Sequence, residues 1–536
     1  MKPFWQSRRS PAGSPGERFS DQAGPGELIE MNKQTHQRIL DAVREFSTPE
    51  RPVYLVGGAV RDLLLNRSSH DLDFVLPGKT RSLAHEISCR FNGALYVMDE
   101  ERDTTRVILG KTHPTSLNEG NRLMIDFASL RTNDLEGDLR ARDFTINAMA
   151  YDVSAPNRLI DPTGGLADLR EKRIRPCSPT SLMDDPVRVI RAVRQALAYG
   201  FRLDPKTIQQ MRAAAPLLPQ VSPERVRDEL FRIFGGTQVH LAVRILDQVG
   251  ALRFILPELE GIKDMSQPAP HLYHVWEHTI RTVQYLEQLY APLVGEYNED
   301  TVPDLTVGSA VLWLGRYREK LEEHFSRMPV PDRTLRGLLF FAALYHDVGK
   351  PETRTETIEG RVQFLNHQAA GARKAALRAR TLALSSAEVQ RLETIIDHHM
   401  RIHQLASARD EDGNWKKPSR RAIYRFFKDT QDAGIDNCLL SLADIRGTYG
   451  VTLPQDVWER ELEVCRALME AYWENNAKIV SPPRLLTGHD LMEIFDLRPG
   501  REVGRLLAAI HEAQAAGEIQ DREGAIEFAR QWLKRA

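Results

Sequence analysis

Apolar residues come in short runs over the first third of this chain and recur at helical spacing over the rest. Between about residues 34 and 178, five runs have strand length: Val53–Val56, Leu72–Leu76, Ala94–Val97, Arg106–Leu109 and Leu123–Phe127. Helical stretches separate them, so the region reads as an α+β unit built on a mixed sheet. After about residue 180 the spacing changes. Val187, Ile190, Val193 and Leu197 step by three or four residues and so share one face of a helix. The same spacing predicts an all-α remainder, jointed at proline-rich breaks near Gln267–Pro270, Pro329–Pro331 and Ser481–Pro483. Residues 1–33 are rich in Gly, Pro, Ser and charge and are expected to form a disordered tail. No repeat of fixed period is evident.

At 536 residues the chain is too long for one core and suggests three or four domains. Hydrophobic content of 42% and charged content of 27% are those of an ordinary globular protein. The net charge of −2 hides local basic stretches, such as Lys416–Lys428, so nucleic-acid binding is not excluded. Within that stretch Ile423, Phe426 and Phe427 are expected in the core, beneath a basic outer face. The four cysteines (Cys89, Cys177, Cys438, Cys465) lie far apart with no C-x-x-C, which fits a reducing cytoplasm better than a disulfide scaffold or zinc site. No apolar run is long enough to span a membrane and no signal peptide is apparent.

Chemistry concentrates in Tyr54–Asp73. An apolar run leads into Gly57-Gly58, then Arg61-Asp62, and Asp71 and Asp73 follow two residues apart in the next apolar run. Side chains two apart on a strand share a face, so both carboxylates can aim at one point, as Mg²⁺ bound to a triphosphate requires. The glycines let backbone N–H groups approach phosphates. Asp126, at the end of a later strand, is either a third acid supporting a metal or accepting a proton, or a salt-bridged aspartate.

This block resembles motif A of the class II nucleotidyltransferases, the tRNA CCA-adding enzymes and bacterial poly(A) polymerases. The resemblance implies that Gly57, Gly58, Arg61 and Asp62 meet the nucleotide and that Asp71 and Asp73 carry the metals. Asp138–Asp152 resembles motif B, in which Arg142, Asp143 and Asn147 would line the nucleotide; Ala141 stands where the family has the first of two arginines, with Arg140 as a substitute. Ile160–Arg175 resembles motif C, and Gly164 and Gly165 are assigned a structural role. Leu182–Phe201 resembles motif D. There Asp184 or Asp185 is expected to cap a helix, with Arg188, Arg191 and Arg194 along one side. Asp184, Asp185, Arg188 and Arg191 are the expected nucleotide-selecting residues. A carboxylate accepting from an amino group beside a guanidinium donating to a ring nitrogen matches cytosine and adenine, and mismatches uracil and guanine. Ser222–Phe234 resembles motif E, with Ser222 as N-cap and Arg225 spaced to pair with Glu229.

A second constellation lies in the helical half. His346-Asp347 with Gly349-Lys350 resembles the HD phosphohydrolase signature. The resemblance implies His278, His346, Asp347 and Asp444 as metal ligands, with His367 and one of His398 or His399 (His399 is chosen) as those of a second metal. Lys350 would take phosphate charge. The metals implied are Mg²⁺ at the first site and Mn²⁺, Co²⁺ or Ni²⁺ at the HD site. Leu485–Gln514 resembles the tail of HD-bearing CCA-adding enzymes at Gly488, Asp490, Gly500 and Gly504.

The fold expected is thus an α+β nucleotidyltransferase head at 34–178, then an all-α neck at 179–262, an HD domain at 263–450 and a tRNA-contacting tail at 451–536. The function expected is template-independent transfer of CMP and AMP from CTP and ATP to the 3′ end of tRNA, with an HD phosphohydrolase appended. The alternatives are a CC-adding or A-adding half-enzyme, a poly(A) polymerase, or, from another class, an HD phosphohydrolase whose head senses nucleotide or RNA. Paired metal carboxylates argue against the last, because a binding module needs none.

Overall fold

The computed structural model describes residues 25–67, 69, 71–100, 102–110, 123–295 and 303–535. The chain divides into two compact units, Met1–Glu171 and Lys172–Ala536. The expected disordered segment lies outside the described residues up to 24. From Pro25 the chain is already helical, through Arg44, and Ile39, Ala42 and Val43 anchor that helix in the core.

The first unit is a seven-stranded mixed sheet: β1 (Tyr54–Val56), β2 (Asp71–Leu76), β3 (Ala94–Asp99), β4 (Thr104–Leu109), β5 (Leu123–Ser129), β6 (Ala150–Asp152) and β7 (Ala155–Ile160). Their order is β3-β4-β5-β2-β1-β6-β7. β2 and β5 run parallel; every other neighbouring pair is antiparallel. The five expected strands are all present, one or two residues longer or shorter. β6 escapes an apolar-run reading because it has three residues, and β7 because Pro156, Asn157 and Arg158 interrupt it. Along β2, Leu72 and Phe74 are buried, Asp73 is half-buried and Asp71 is exposed. Phe74 stacks on Phe127 of β5 at 5.3 Å, which fixes the register of the two central strands.

The turn before helix Gly165–Arg170 shows why motif C holds glycine. Gly164 has φ 79°, and a Cβ on Gly165 would sit 2.1 Å from Thr145 O. Asp161 accepts from the Gly165 and Leu166 amides at 2.7 and 2.9 Å, in place of the missing helical partners.

Among its described residues the second unit is helical, apart from two short ladders, Arg173–Ile174 with Arg202–Leu203 and Arg354–Glu356 with Val362–Phe364, and two isolated bridges. Helix Leu335–Tyr345 is buried at nearly every residue and Ala433–Tyr449 almost as completely, so both lack an amphipathic stripe. Helix Val275–Val294 packs between them. The three proline-rich breaks fall between helices, as expected. Ile423, Tyr424, Phe426 and Phe427 are core residues. The basic face of the same helix, Arg420–Thr430, is not open: Arg421 pairs with Glu518 at 2.7 Å and Arg425 with Glu512. Both partners lie on or just after helix Arg501–Ala516, so this basic face docks the C-terminal helices. In the tail, Asp490 closes a capping box with Thr487, and Gly500 precedes helix Arg501–Ala516. Among the described residues no helix is long and apolar enough to cross a membrane.

Candidate active site and metal centre

In the first unit the sheet register sets out a row of charge. Asp73 lies level with Asp126 across the parallel pair, and Arg106 on β4 lies level with Asp126. Arg106 donates through Nε and Nη2 to one Asp126 oxygen each, both at 2.8 Å. Asp126 is therefore clamped by a salt bridge on both oxygens. Burial, and then the neighbouring Asp126 carboxylate, push Asp73 up to about 6, against the pull of Arg142.

Gly57 completes this site. It has φ 73°, a conformation side chains rarely adopt, and a Cβ there would lie 2.9 Å from Asp73 Oδ2 and 3.2 Å from Arg142 Nη1. Glycine thus brings the backbone against a metal-type carboxylate and a phosphate-type guanidinium at once. Arg142 is braced by Asp138, which accepts from Nε and Nη2 at 3.2 and 3.0 Å. Arg61 donates to Asn147 Oδ1 at 2.6 Å and to both oxygens of Asp62 at 2.9 and 3.0 Å. Asn147 donates in turn to Asp143 at 3.0 Å, so these four residues form one chain that shapes the glycine turn. Arg140 does not stand in for the missing arginine; it pairs with Glu136 on the solvent side at 2.7 Å.

The segment expected to select the nucleotide, on the second unit, differs from expectation in its capping. The helix begins at Arg188 with Val187 as N-cap, and neither aspartate caps it. Asp185 is extended, which leaves its carboxylate to Arg225 at 2.7 Å and Arg188 at 3.6 Å. Arg188 Nη1 donates to Ser181 Oγ at 2.7 Å, and Asp184 accepts from Thr180 Oγ1 at 2.9 Å. Arg225 therefore does not pair with Glu229. Glu229, buried, takes Arg191 at 3.1 Å, Arg194 at 2.7 Å and Arg232 at 2.9 Å. Burial pushes Glu229 up, but the arginines outweigh it and hold it below the usual range. Arg191 is thus a clamp between helices Arg188–Tyr199 and Pro223–Phe234.

The HD residues converge. His278, His346 and Asp347 form one group and Asp347, His367 and His399 another, with the potential ligand atoms of each group within 4.8 Å of one another. Asp347 joins the groups: Oδ2 lies 3.4 Å from His278 Nε2 and 3.3 Å from His346 Nε2, while Oδ1 lies 3.5 Å from His367 Nε2. Asp444 Oδ1 is 3.0 Å from His278 Nε2. Nδ1 of His346, His367 and His399 lies 2.7–2.9 Å from the carbonyls of Ala343, Phe364 and Ile396. A carbonyl can only accept, so each Nδ1 carries a proton and Nε2 is the atom each ring turns to the centre. Burial and neighbouring imidazoles push His399 down to about 3, and burial lowers His367, so both stay neutral. This donor set fits a divalent transition metal. His398 lies outside it, with Nδ1 on Thr394 O at 3.0 Å. Lys350 Nζ donates to Asp347 Oδ2 at 2.6 Å and to Gln267 at 2.8 Å. Burial opposes ionisation of Asp347, but Lys350 and His346 hold it well below the usual carboxylate range.

The chain matches four family models: a poly A polymerase head domain (53–175), a probable RNA and SrmB- binding site of polymerase A (200–262), an HD domain (309–445) and a putative tRNA nucleotidyltransferase domain 2 (458–529). It is 31% identical to a CC-adding tRNA nucleotidyltransferase of Thermus thermophilus, over 91% of this chain and 95% of that protein. The chain belongs to the tRNA nucleotidyltransferase family. An A-adding tRNA nucleotidyltransferase of Deinococcus radiodurans is also 31% identical, over 90% and 95%. The fold matches that of a CCA-adding enzyme solved with ATP, at a TM-score of 0.60 and 20% identity over 95% of this chain and 98% of that one.

Five residues of this nucleotidyltransferase escape motif reading. Arg106 shows only as a charge inside an apolar strand, and Asp138 only by its four-residue step from Arg142. Arg225 gave a misleading signal, its four-residue step to Glu229, while its partner Asp185 lies 40 residues away; His403 and Glu461 gave no local signal, because Asp444 and His403, against which they lie, are about 40 residues or more away.

Proposed function

We propose that this chain transfers CMP and AMP from CTP and ATP to the 3′ end of tRNA, adding or repairing CCA without a nucleic-acid template. The convergence of Gly57, Asp73 and Arg142 carries this reading. Mg²⁺ held by Asp71 and Asp73 supplies charge neutralisation for the triphosphate. The protein does the rest. Gly57 and Gly58 admit the phosphates to the backbone, and Arg142, braced by Asp138, offers them a fixed guanidinium. Both Asp126 oxygens accept from Arg106, which favours a supporting carboxylate over a proton acceptor. Asp185 and Arg188 select cytosine and adenine by their edges; a wrong base forgoes hydrogen bonds to these charged groups, worth about 1.5–3 kcal/mol each.

The HD cluster is proposed as a metal-dependent phosphohydrolase site, supported by the inward-facing Nε2 atoms around Asp347. A bound divalent metal supplies Lewis-acid polarisation of a phosphoester. Lys350 holds Asp347 in place, with its ammonium 2.6 Å from Asp347 Oδ2.

The deciding experiment supplies tRNAs ending before CCA, after C and after CC with single nucleotides, and resolves products by length. Use of both CTP and ATP in turn gives CCA addition. The two relatives at equal identity carry CC-adding and A-adding names, so CTP alone or ATP alone makes this chain one of those half-enzymes, and a long A tract makes it a poly(A) polymerase. No incorporation overturns the reading.

A further inference from the structure

The two oxygens of Asp444 have different surroundings. Oδ1 lies within the HD cluster, 3.0 Å from His278 Nε2 and 3.7 Å from His346 Nε2. Oδ2 is engaged by His403 Nε2 at 3.0 Å. His403 stands on helix Met400–Ala406, and its Nδ1 lies 2.8 Å from Glu461 Oε1, near enough for charge pairing though not aligned for a hydrogen bond. Glu461 is buried on helix Gln455–Trp473 and also accepts from Ser441 Oγ. Ser441 is on helix Ala433–Tyr449, three residues before Asp444, so the chain of contacts closes on the helix from which it starts.

A buried carboxylate costs stability unless it is paired, and here the pairing ends on a proposed metal ligand. A carboxylate can meet a metal through one oxygen or two. With Oδ2 held, Oδ1 alone is presented to the cluster. Groups that orient a ligand in this way set metal affinity almost as strongly as the ligands do.

We propose that His403 and Glu461 are positioning residues of the HD centre, holding Asp444 so that Oδ1 alone faces the metal. Glu461 lies in the segment matched by the tRNA nucleotidyltransferase domain 2 model (458–529) and beyond the HD match (309–445). The HD centre is therefore completed from the C-terminal segment. This inference rests on the reading of the HD cluster as a metal site.

The test uses the full chain and measures Mn²⁺ and Co²⁺ binding by calorimetry, with the Co²⁺ absorption spectrum as a report on coordination. Glu461→Gln and His403→Ala each weaken binding by roughly 10–100-fold and alter the spectrum. Because Glu461 acts through His403, the double variant binds no more weakly than His403→Ala alone; two independent structural defects would add instead. Ser441→Ala, which removes one hydrogen bond to Glu461, gives a smaller loss of the same sign and serves if Glu461→Gln does not fold. A wild type that binds neither metal overturns the HD reading, and this inference falls with it. A wild type that binds, with Glu461→Gln or Ser441→Ala binding equally well or with additive losses in the double variant, overturns this inference alone.

Discussion

Replacing Asp73 by Asn is expected to stabilise the metal-free protein while abolishing nucleotide addition. Asp73 is pushed from the usual 3.8 to about 6, first by burial and then by the Asp126 carboxylate level with it on β5. A raised folded-state pKa means that the folded protein binds this proton more tightly than the unfolded chain. Below about pH 4 both states are protonated and there is no penalty; as pH rises to 6 the penalty grows, and above 6 it is complete. At roughly 1.4 kcal/mol per tenfold change in proton affinity the displacement corresponds to about 3 kcal/mol. Asp73 is partly rather than fully buried, so solvent screening trims this to about 2 kcal/mol. Asn keeps the shape and removes the charge. Thermal melting in EDTA should place the head transition of Asp73→Asn above that of the wild type at pH 7–8 and level with it near pH 4. Mg²⁺ should narrow the gap at neutral pH by stabilising the wild type through Asp71 and Asp73. A gain independent of pH, or none at pH 7, would refute the account of Asp73 as a charge held at a cost for metal binding.

Asp185→Ala and Arg188→Ala should lose rate and lower the preference for CTP and ATP over UTP and GTP by roughly tenfold or more; single-nucleotide incorporation ratios equal to the parent's would remove the selecting role. His346→Ala or Asp347→Ala should lose bound transition metal and hydrolysis of model phosphoesters and cyclic nucleotides with Mn²⁺, Co²⁺ or Ni²⁺, while nucleotide addition persists. If the wild type shows neither metal nor hydrolysis, the phosphohydrolase reading is withdrawn. Gly165→Ala should destabilise the head by about 3 kcal/mol or more, because its Cβ would sit 2.1 Å from Thr145 O and backbone has to move; an unchanged urea midpoint would show that the turn relaxes freely.

The sequence by itself determined what short-range order can encode. The two-residue step from Asp71 to Asp73 in a strand-like run put both carboxylates on one face, and helical spacing after residue 180 marked the change to an all-α unit. The glycine pair and the HD signature likewise stated their chemistry within a few residues, since a turn or a pair of ligands depends on local backbone geometry. Tertiary structure decided which groups meet across the sheet and between helices. Whether Asp126 is an open acid or is clamped depends on Arg106, 20 residues away on the adjacent strand. Whether Asp185 or Glu229 receives Arg225 depends on how two helices cross, and the local four-residue step pointed to the wrong one. The same holds for the choice of His399 over His398: adjacent helical positions face about 100° apart, and packing alone fixes which faces Asp347. Backbone hydrogen bonding and side-chain periodicity are local. Charge pairing in a core is set by contacts between distant segments, and a single sequence carries no mark of which segments those are.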